Sequence, residues 1–234
     1  MGRAFEYRKN RKMARWDKMA KAFTRIGKDI AIAVKASGTD PDNNPRLRSA
    51  MQNAKMVNMP KDKVDAAIKR ASSKDEKEYQ EVMYEGYGPN GVAFMVECAT
   101  DNPTRTVSNL RVYFNRGGGS LGTSGSVEYL FAHKGIFRFP AEGVDIEALE
   151  LDLIDFGAED ILVEEGQVVV TVTFTDFGKM FKGLESKDIS ASSELQRIPL
   201  TFKQLTEEEA DAVVDLIDKI EDDDDVQAVY TNMQ

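Results

Sequence analysis

The chain has 234 residues and is 41% hydrophobic, which suffices for real cores in one large domain or two to three smaller ones. Its formal net charge is −9, and its single cysteine, Cys98, excludes an intrachain disulfide and suits a reducing compartment. There is no apolar run of the roughly 18 residues a membrane helix needs, and the basic start lacks the apolar centre of a signal peptide, so neither a membrane span nor export is expected and a cytoplasmic location is read.

The first stretch is basic. Residues 1–79 hold 20 Lys+Arg against 10 Asp+Glu, whereas residues 80–234 hold 11 against 30, so a +10 module precedes a −19 body. Such asymmetry points to a polyanion partner for the basic part. Over residues 4–35, Met19, Phe23, Ile26, Ile30 and Val34 recur at helical spacing, with Lys18, Lys21, Arg25 and Lys28 off that stripe. Ahead of them Arg8, Lys9, Arg11, Lys12 and Arg15 crowd beside Trp16. Asn44 with Pro45 opens a second helix that carries Arg46 and Arg48, with Leu47, Met51, Ala54 and Val57 facing inward. A third helix runs from Pro60 to about Ala71, which makes a small helical bundle. The second and third helices have helix-turn-helix spacing, but Lys61, Lys63, Lys69 and Arg70 come without the Asn or Gln that reads adenine edges, so phosphate contact is expected rather than sequence readout.

A polar connector at 72–78 leads to two strands, 81–85 and 92–98, joined through Asn90-Gly91. Asp101 or Asn102 caps a helix over 104–115 with Pro103 in its first turn, and Val107, Leu110 and Phe114 form its apolar face. The glycine loop that follows satisfies G-x-G-x-x-G at Gly117, Gly119 and Gly122, yet a helix precedes it and a strand follows, the reverse of a dinucleotide site. Its five glycines and Arg116 suit either a long structural turn or an anion-binding nest that touches a phosphate backbone through Arg116, Gly117, Gly118, Gly119, Thr123 and Ser124. A strand is expected at 126–131 and another at 136–139 after a turn at Lys134-Gly135. Residues 136–199 then spell strand, helix, strand, strand, helix, strand, the order of a ferredoxin-like split βαβ unit. Thr206 and Glu209 form a capping box for a helix that ends near Ile220, before a last strand at 226–231; both are expected to complete the sheet begun at 81–98 and 126–131. The fold class is therefore α+β in three domains: 1–79 helical, 80–135 with 200–234 a discontinuous middle domain, and 136–199 an inserted ferredoxin-like domain.

No catalytic constellation emerges. His133 is the only histidine, which argues against a zinc site or a serine–histidine triad, and Asp222-Asp223-Asp224-Asp225 lacks the spacing and glycine of a hand-type calcium loop, so it reads as a solvated connection. No metal and no cofactor are expected, and the chain is not read as an enzyme.

The runs Asn44-Pro45-Arg46-Leu47-Arg48, Asn58-Met59-Pro60-Lys61-Asp62, Tyr84-Glu85-Gly86-Tyr87-Gly88-Pro89, Glu97-Cys98-Ala99-Thr100-Asp101-Asn102, Arg105-Thr106-Val107, Gly122-Thr123-Ser124-Gly125-Ser126-Val127 and Asp224-Asp225-Val226-Gln227 resemble the YebC/PmpR family over nearly the whole chain. That family includes the mitochondrial translational activator of cytochrome c oxidase subunit I. The resemblance implies three domains around a cleft and nucleic-acid binding, by DNA-directed transcriptional regulators in most members and by ribosome-associated translation factors in others. One departure stands at the start: Arg3-Ala4-Phe5-Glu6 replaces the family's Gly-His-Ser-Lys-Trp-Ala segment, with Phe5 at the tryptophan position, so contacts made by that histidine and lysine do not carry over. The expected partner is DNA, alternatively ribosomal RNA or tRNA. A protein partner for the acidic domains, with the basic face merely solvated, is the third reading.

Overall fold

The computed structural model describes the backbone of residues 3–73 and 78–234 and the side chains of residues 19–73 and 78–234. The chain forms two compact units, Met1–Tyr79 and Gln80–Gln234. Among the described residues no helix is long and apolar enough to cross a membrane.

The first unit is three helices, α1 (Arg3–Ser37), α2 (Pro45–Met56) and α3 (Lys61–Ala71). Ile26, Ile30, Val34, Leu47, Ala54, Val64 and Ala67 close its core, which are the positions the helical spacing selects. Asn44 organises the α1–α2 corner from a buried position: its Oδ1 accepts from the Leu47 amide at 3.0 Å, and its Nδ2 donates to the Ala33 and Gly38 carbonyls.

The second unit is α+β with two four-stranded antiparallel sheets. Strands β1 (Gln80–Tyr87) and β2 (Ala93–Thr100) pair around a 3₁₀ turn at Pro89–Gly91, where Asn90 adopts φ 58° and Gly91 φ 71°. Helix α4 (Pro103–Arg116) starts on Asn102, whose side chain accepts from the Arg105 amide at 3.1 Å. After the short β3 (Ser120–Leu121), strand β4 (Phe131–Pro140), helix α5 (Ile146–Ile154), β5 (Ala158–Glu164), β6 (Gln167–Thr173), α6 (Phe177–Ser186) and β7 (Ser192–Pro199) follow. Helix α7 (Glu207–Glu221) opens on the Thr206–Glu209 capping box, and β8 (Val226–Thr231) ends the unit.

The sheet orders are β3-β1-β2-β8 and β5-β6-β4-β7. The second is the strand order of a ferredoxin-like unit, and its helix-facing core holds Phe137, Phe139, Leu149, Val168, Val170 and Met180. In the first sheet β8 pairs with β2, so the C-terminal strand returns as expected, and α4 and α7 cover one face through Phe94, Phe114, Val213 and Leu216.

One expected strand is absent. Residues 126–131 do not join the first sheet; a 3₁₀ turn lies at Glu128–Leu130, and β4 is one continuous strand from Phe131 that runs through Lys134-Gly135 without turning. The place beside β1 goes to β3, inside the glycine loop, through the pairs Gly86 with Leu121 and Tyr87 with Ser120. Residues 127–131 instead lie against the sheet's other face, where Val127 and Phe131 pack with Ala93 and Met95.

Candidate nucleic-acid interface

Arg8, Lys9, Arg11, Lys12, Arg15, Trp16 and Lys18 lie on α1, but their side chains fall outside the described residues. The rest of that stripe runs from solvent into the bundle. Lys21 is exposed, Arg25 is half-buried, and Lys28 is 8% exposed with its ammonium 5.3 Å from the centroid of the Tyr79 ring. A lysine so placed packs its apolar stem within the bundle while its ammonium lies over an aromatic face. Arg46 is exposed on α2. Arg48 is half-buried, and its Nη1 donates to the carbonyls of Pro41 and Asp42 at 2.7 and 3.0 Å, which ties down the loop between α1 and α2. Helix α3 adds exposed Lys61, Lys63, Lys69 and Arg70, with the Lys63 ammonium 5.2 Å from the Phe23 ring of α1.

The glycine loop has a different occupant from the one its composition suggests. Glu85 is 4% exposed, and its carboxylate fills the curl of backbone at 125–128. Its Oε1 accepts from the Gly125 amide at 2.7 Å, and its Oε2 accepts from Val127 and Glu128 at 2.8 and 2.9 Å. A nest of amides is an anion site, and here the anion is the chain's own. Burial pushes the Glu85 carboxyl up, the three amide bonds outweigh that, and its pKa rests below the ordinary carboxylate value.

Three further loop amides are also used internally: Gly117 donates to Tyr113 O, Gly119 to Phe114 O, and Gly122 to Glu85 O. The glycines answer steric demands. Gly118 and Gly125 have φ +75° and +82°, and a Cβ at Gly119 would sit 2.4 Å from the Tyr87 carbonyl oxygen. Gly117, Gly118 and Gly119 are therefore structural, while Arg116, Thr123 and Ser124 are exposed.

A second buried carboxylate lies where a solvated acidic run was expected. Asp225 is 5% exposed, and its Oδ2 accepts from Thr100 Oγ1 at 3.1 Å, Thr106 Oγ1 at 2.8 Å and Arg105 Nη2 at 2.6 Å. Asp223 accepts from Asn109 Nδ2 and from the Tyr113 hydroxyl, both at 3.0 Å. These bonds staple the α7–β8 connection onto α4. Arg105 also reaches Asp101 at 2.8 Å; its bond to Asp225, and then that to Asp101, raise its pKa above its ordinary value. His133 stacks on Phe174 at 4.4 Å; burial, then the neighbouring Arg197, lowers its pKa.

Sequence reasoning did not single out Glu85 or Asp225. A signal existed for the first: strand alternation puts Glu85 on the same face of β1 as Met83 and Tyr87, and an acid on an apolar face needs a built set of donors.

Residues 3–74 match the family described as "TACO1/YebC protein N-terminal domain", and residues 79–233 match "TACO1/YebC second and third domain". The chain is 55% identical to a protein of Cytophaga hutchinsonii named "Probable transcriptional regulatory protein", over all of this chain and 98% of that one. It is 53% identical to a protein of Flavobacterium psychrophilum with the same description, over the full length of both. The crystal structure of a conserved hypothetical protein from Aquifex aeolicus superimposes with a TM-score of 0.79 at 36% identity, covering 92% of this chain and 90% of that one.

Proposed function

The chain belongs to the TACO1/YebC family, and on that premise we propose that it is a cytoplasmic DNA-binding transcriptional regulator whose N-terminal unit neutralises backbone phosphates. The observation that carries this reading is the division of charge, +10 in residues 1–79 against −19 in residues 80–234, with exposed Lys21, Arg46, Lys61, Lys69 and Arg70 spread over all three helices of the basic unit. The names of the relatives support it. The footprint consists of Arg8, Lys9, Arg11, Lys12, Arg15, Trp16, Lys18, Lys21, Arg25 and Arg46, with Arg116, Thr123 and Ser124 of the second unit as further contacts; Lys28 and Arg48 serve the bundle itself. Two sheets with separate cores support a further division of the second unit into a discontinuous domain, 80–135 with 200–234, and an inserted domain, 136–199.

A second reading keeps the footprint and replaces DNA by ribosomal RNA or tRNA. It is favoured by the absence of Asn and Gln from α3, which leaves that helix without the side chains that read adenine edges in a DNA groove.

Charge reversal of Lys9, Arg11, Lys12 and Arg15 tests the footprint. Each lost phosphate contact lowers the slope of log affinity against log salt by about 0.9 on duplex DNA and about 0.7 on a single strand. Lys28→Met is the control and leaves the slope unchanged while lowering stability. An unaltered slope in the charge-reversed protein refutes the footprint. Co-sedimentation of the tagged protein with ribosomes through a moderate salt wash decides for the second reading over the first.

A further inference from the structure

Strand β5 is the open edge of the second sheet, where it pairs with β6 alone. Edge strands in natural proteins are kept short, bulged, or guarded by charge, because their outward amides and carbonyls can template another chain. This edge has a bulge only at its start, between Ala158 and Asp160. Beyond it the strand is regular and aliphatic on both faces. Leu162 on the outer face is 47% exposed, and Val163 on the helix side is 53% exposed.

The segment that carries this edge is acidic, although Lys134 of β4 pairs with Glu159 at its start and Arg138 of β4 stands beyond its end. Residues 139–178 contain eleven Asp+Glu and no Lys, Arg or His. Register places Asp160, Leu162 and Glu164 opposite Thr171, Val169 and Gln167, so the outer face of β5 reads acid, leucine, acid. An open groove of about 530 Å³, lined by Glu164, Glu165, Gln167, Val169 and Arg138, continues from its end.

A second copy of this chain is a poor occupant. Antiparallel self-pairing about Leu162 sets Asp160 opposite Glu164 and Glu159 opposite Glu165, and like charges directly opposite one another destabilise a ladder. Nucleic acid is repelled by the same acids. The complement of acid–leucine–acid on one face, with Ile161 and Val163 on the other, is a strand with bases at its first and fifth positions and aliphatic residues between them.

We propose that the β5 edge is a docking surface for an extended, lysine- or arginine-rich segment of a partner protein, which joins the sheet as a fifth strand. Main-chain bonds along residues 160–164 supply affinity, and Asp160, Leu162 and Glu164 select the base–aliphatic–base pattern. This inference is independent of the nucleic-acid reading, since it uses only the acidic unit.

The test uses the full chain and two fluorescein-labelled peptides flanked by glycine and serine, one lysine-valine-leucine-valine-lysine and one glutamate-valine-leucine-valine-glutamate. Anisotropy gives the affinities, and amide hydrogen exchange locates the contact. The lysine peptide should bind saturably and protect the β5 amides, while the glutamate peptide leaves them unprotected. Leu162→Lys should weaken the lysine peptide at least tenfold with an unchanged circular dichroism spectrum. Asp160→Lys combined with Glu164→Lys should swap the preference, so that only the glutamate peptide protects β5. The proposal is overturned if the β5 amides that point away from β6 are already protected in the free protein, if the lysine peptide protects a different segment, or if the double substitution leaves the preference unchanged.

Discussion

Replacing Glu85 by glutamine tests whether one carboxylate holds the glycine loop. In the native chain its two oxygens accept three amides, Gly125 on one side and Val127 with Glu128 on the other. Glutamine keeps the shape but offers one oxygen and one NH₂ group, so in either orientation at least one loop amide faces a donor. A hydrogen bond to a charged group contributes roughly 1.5–3 kcal/mol net, and the amide of Gly125 can rehydrate, so Glu85→Gln should cost about 2–3 kcal/mol. Glu85→Ala also strands the amide of Val127, a fully buried residue, and should cost about 3–5 kcal/mol.

At about 2–4 °C per kcal/mol for a unit of this size, Tm falls by about 4–12 °C and 6–20 °C respectively. The pH dependence carries a definite sign. Because the folded pKa of Glu85 is lowered, its contribution is complete above the unfolded value of about 4.3 and is lost as pH falls through the folded value. The stability gap between native chain and Glu85→Gln is therefore widest at neutral pH and narrows below about pH 4. Urea unfolding followed by circular dichroism over this range reads the gap, and amide exchange at Val127 reports the loop directly. A gap below about 1 kcal/mol at pH 7, or one that stays constant into the acid range, refutes the assignment.

The staple between α4 and the acidic connection should appear as energetic coupling. In a cycle of Asp225→Asn and Thr106→Val the two changes should couple by about 0.5–3 kcal/mol in urea unfolding, and additive effects would show that the 2.8 Å contact carries no energy. Two loop glycines should rank by what a methyl group meets. Gly119→Ala drives a Cβ to 2.4 Å from the Tyr87 carbonyl and must part β3 from β1, at about 1–3 kcal/mol or more. Gly125→Ala meets open space and costs only the strain of φ +82°, about 1 kcal/mol. Equal Tm losses for the two would discredit the close-approach argument.

Where structure follows from neighbours in sequence, it was legible. The caps at Asn44, Asn102 and Thr206, the three helices of the basic unit and the split βαβ order of 136–199 follow from cap chemistry and periodicity, while the return of β8 to the first sheet follows from the last helix and strand having no other sheet to join. Two misreadings share one cause, a buried carboxylate with partners far along the chain. Residues 126–131 have the composition of a strand, but Glu85, about forty residues earlier, takes their amides and curls them. Asp223 and Asp225 read as solvated with the rest of the aspartate run because their partners Thr100, Arg105, Thr106, Asn109 and Tyr113 lie 110 to 125 residues away. In the basic unit the periodicity located the stripe of cations, but only packing shows that Lys28 turns inward to Tyr79 and that Arg48 is spent on the Pro41 and Asp42 carbonyls.

Charge division then narrows the roles of the two units. A polyanion gains from the +10 unit and is repelled by the −19 unit, and both terms are screened within about 8 Å at physiological salt. Contacts beyond the first unit must therefore be local and short-ranged. The glycine loop cannot supply them through its curl of amides, because a phosphate would have to displace a carboxylate that is covalently part of the chain and carries three hydrogen bonds already. The proposed contacts in this unit therefore rest on the exposed side chains of Arg116, Thr123 and Ser124 and not on that curl of amides. Glu85 thus makes a clear demand on experiment: its replacement should loosen the loop, which exchange of the Val127 amide reads directly.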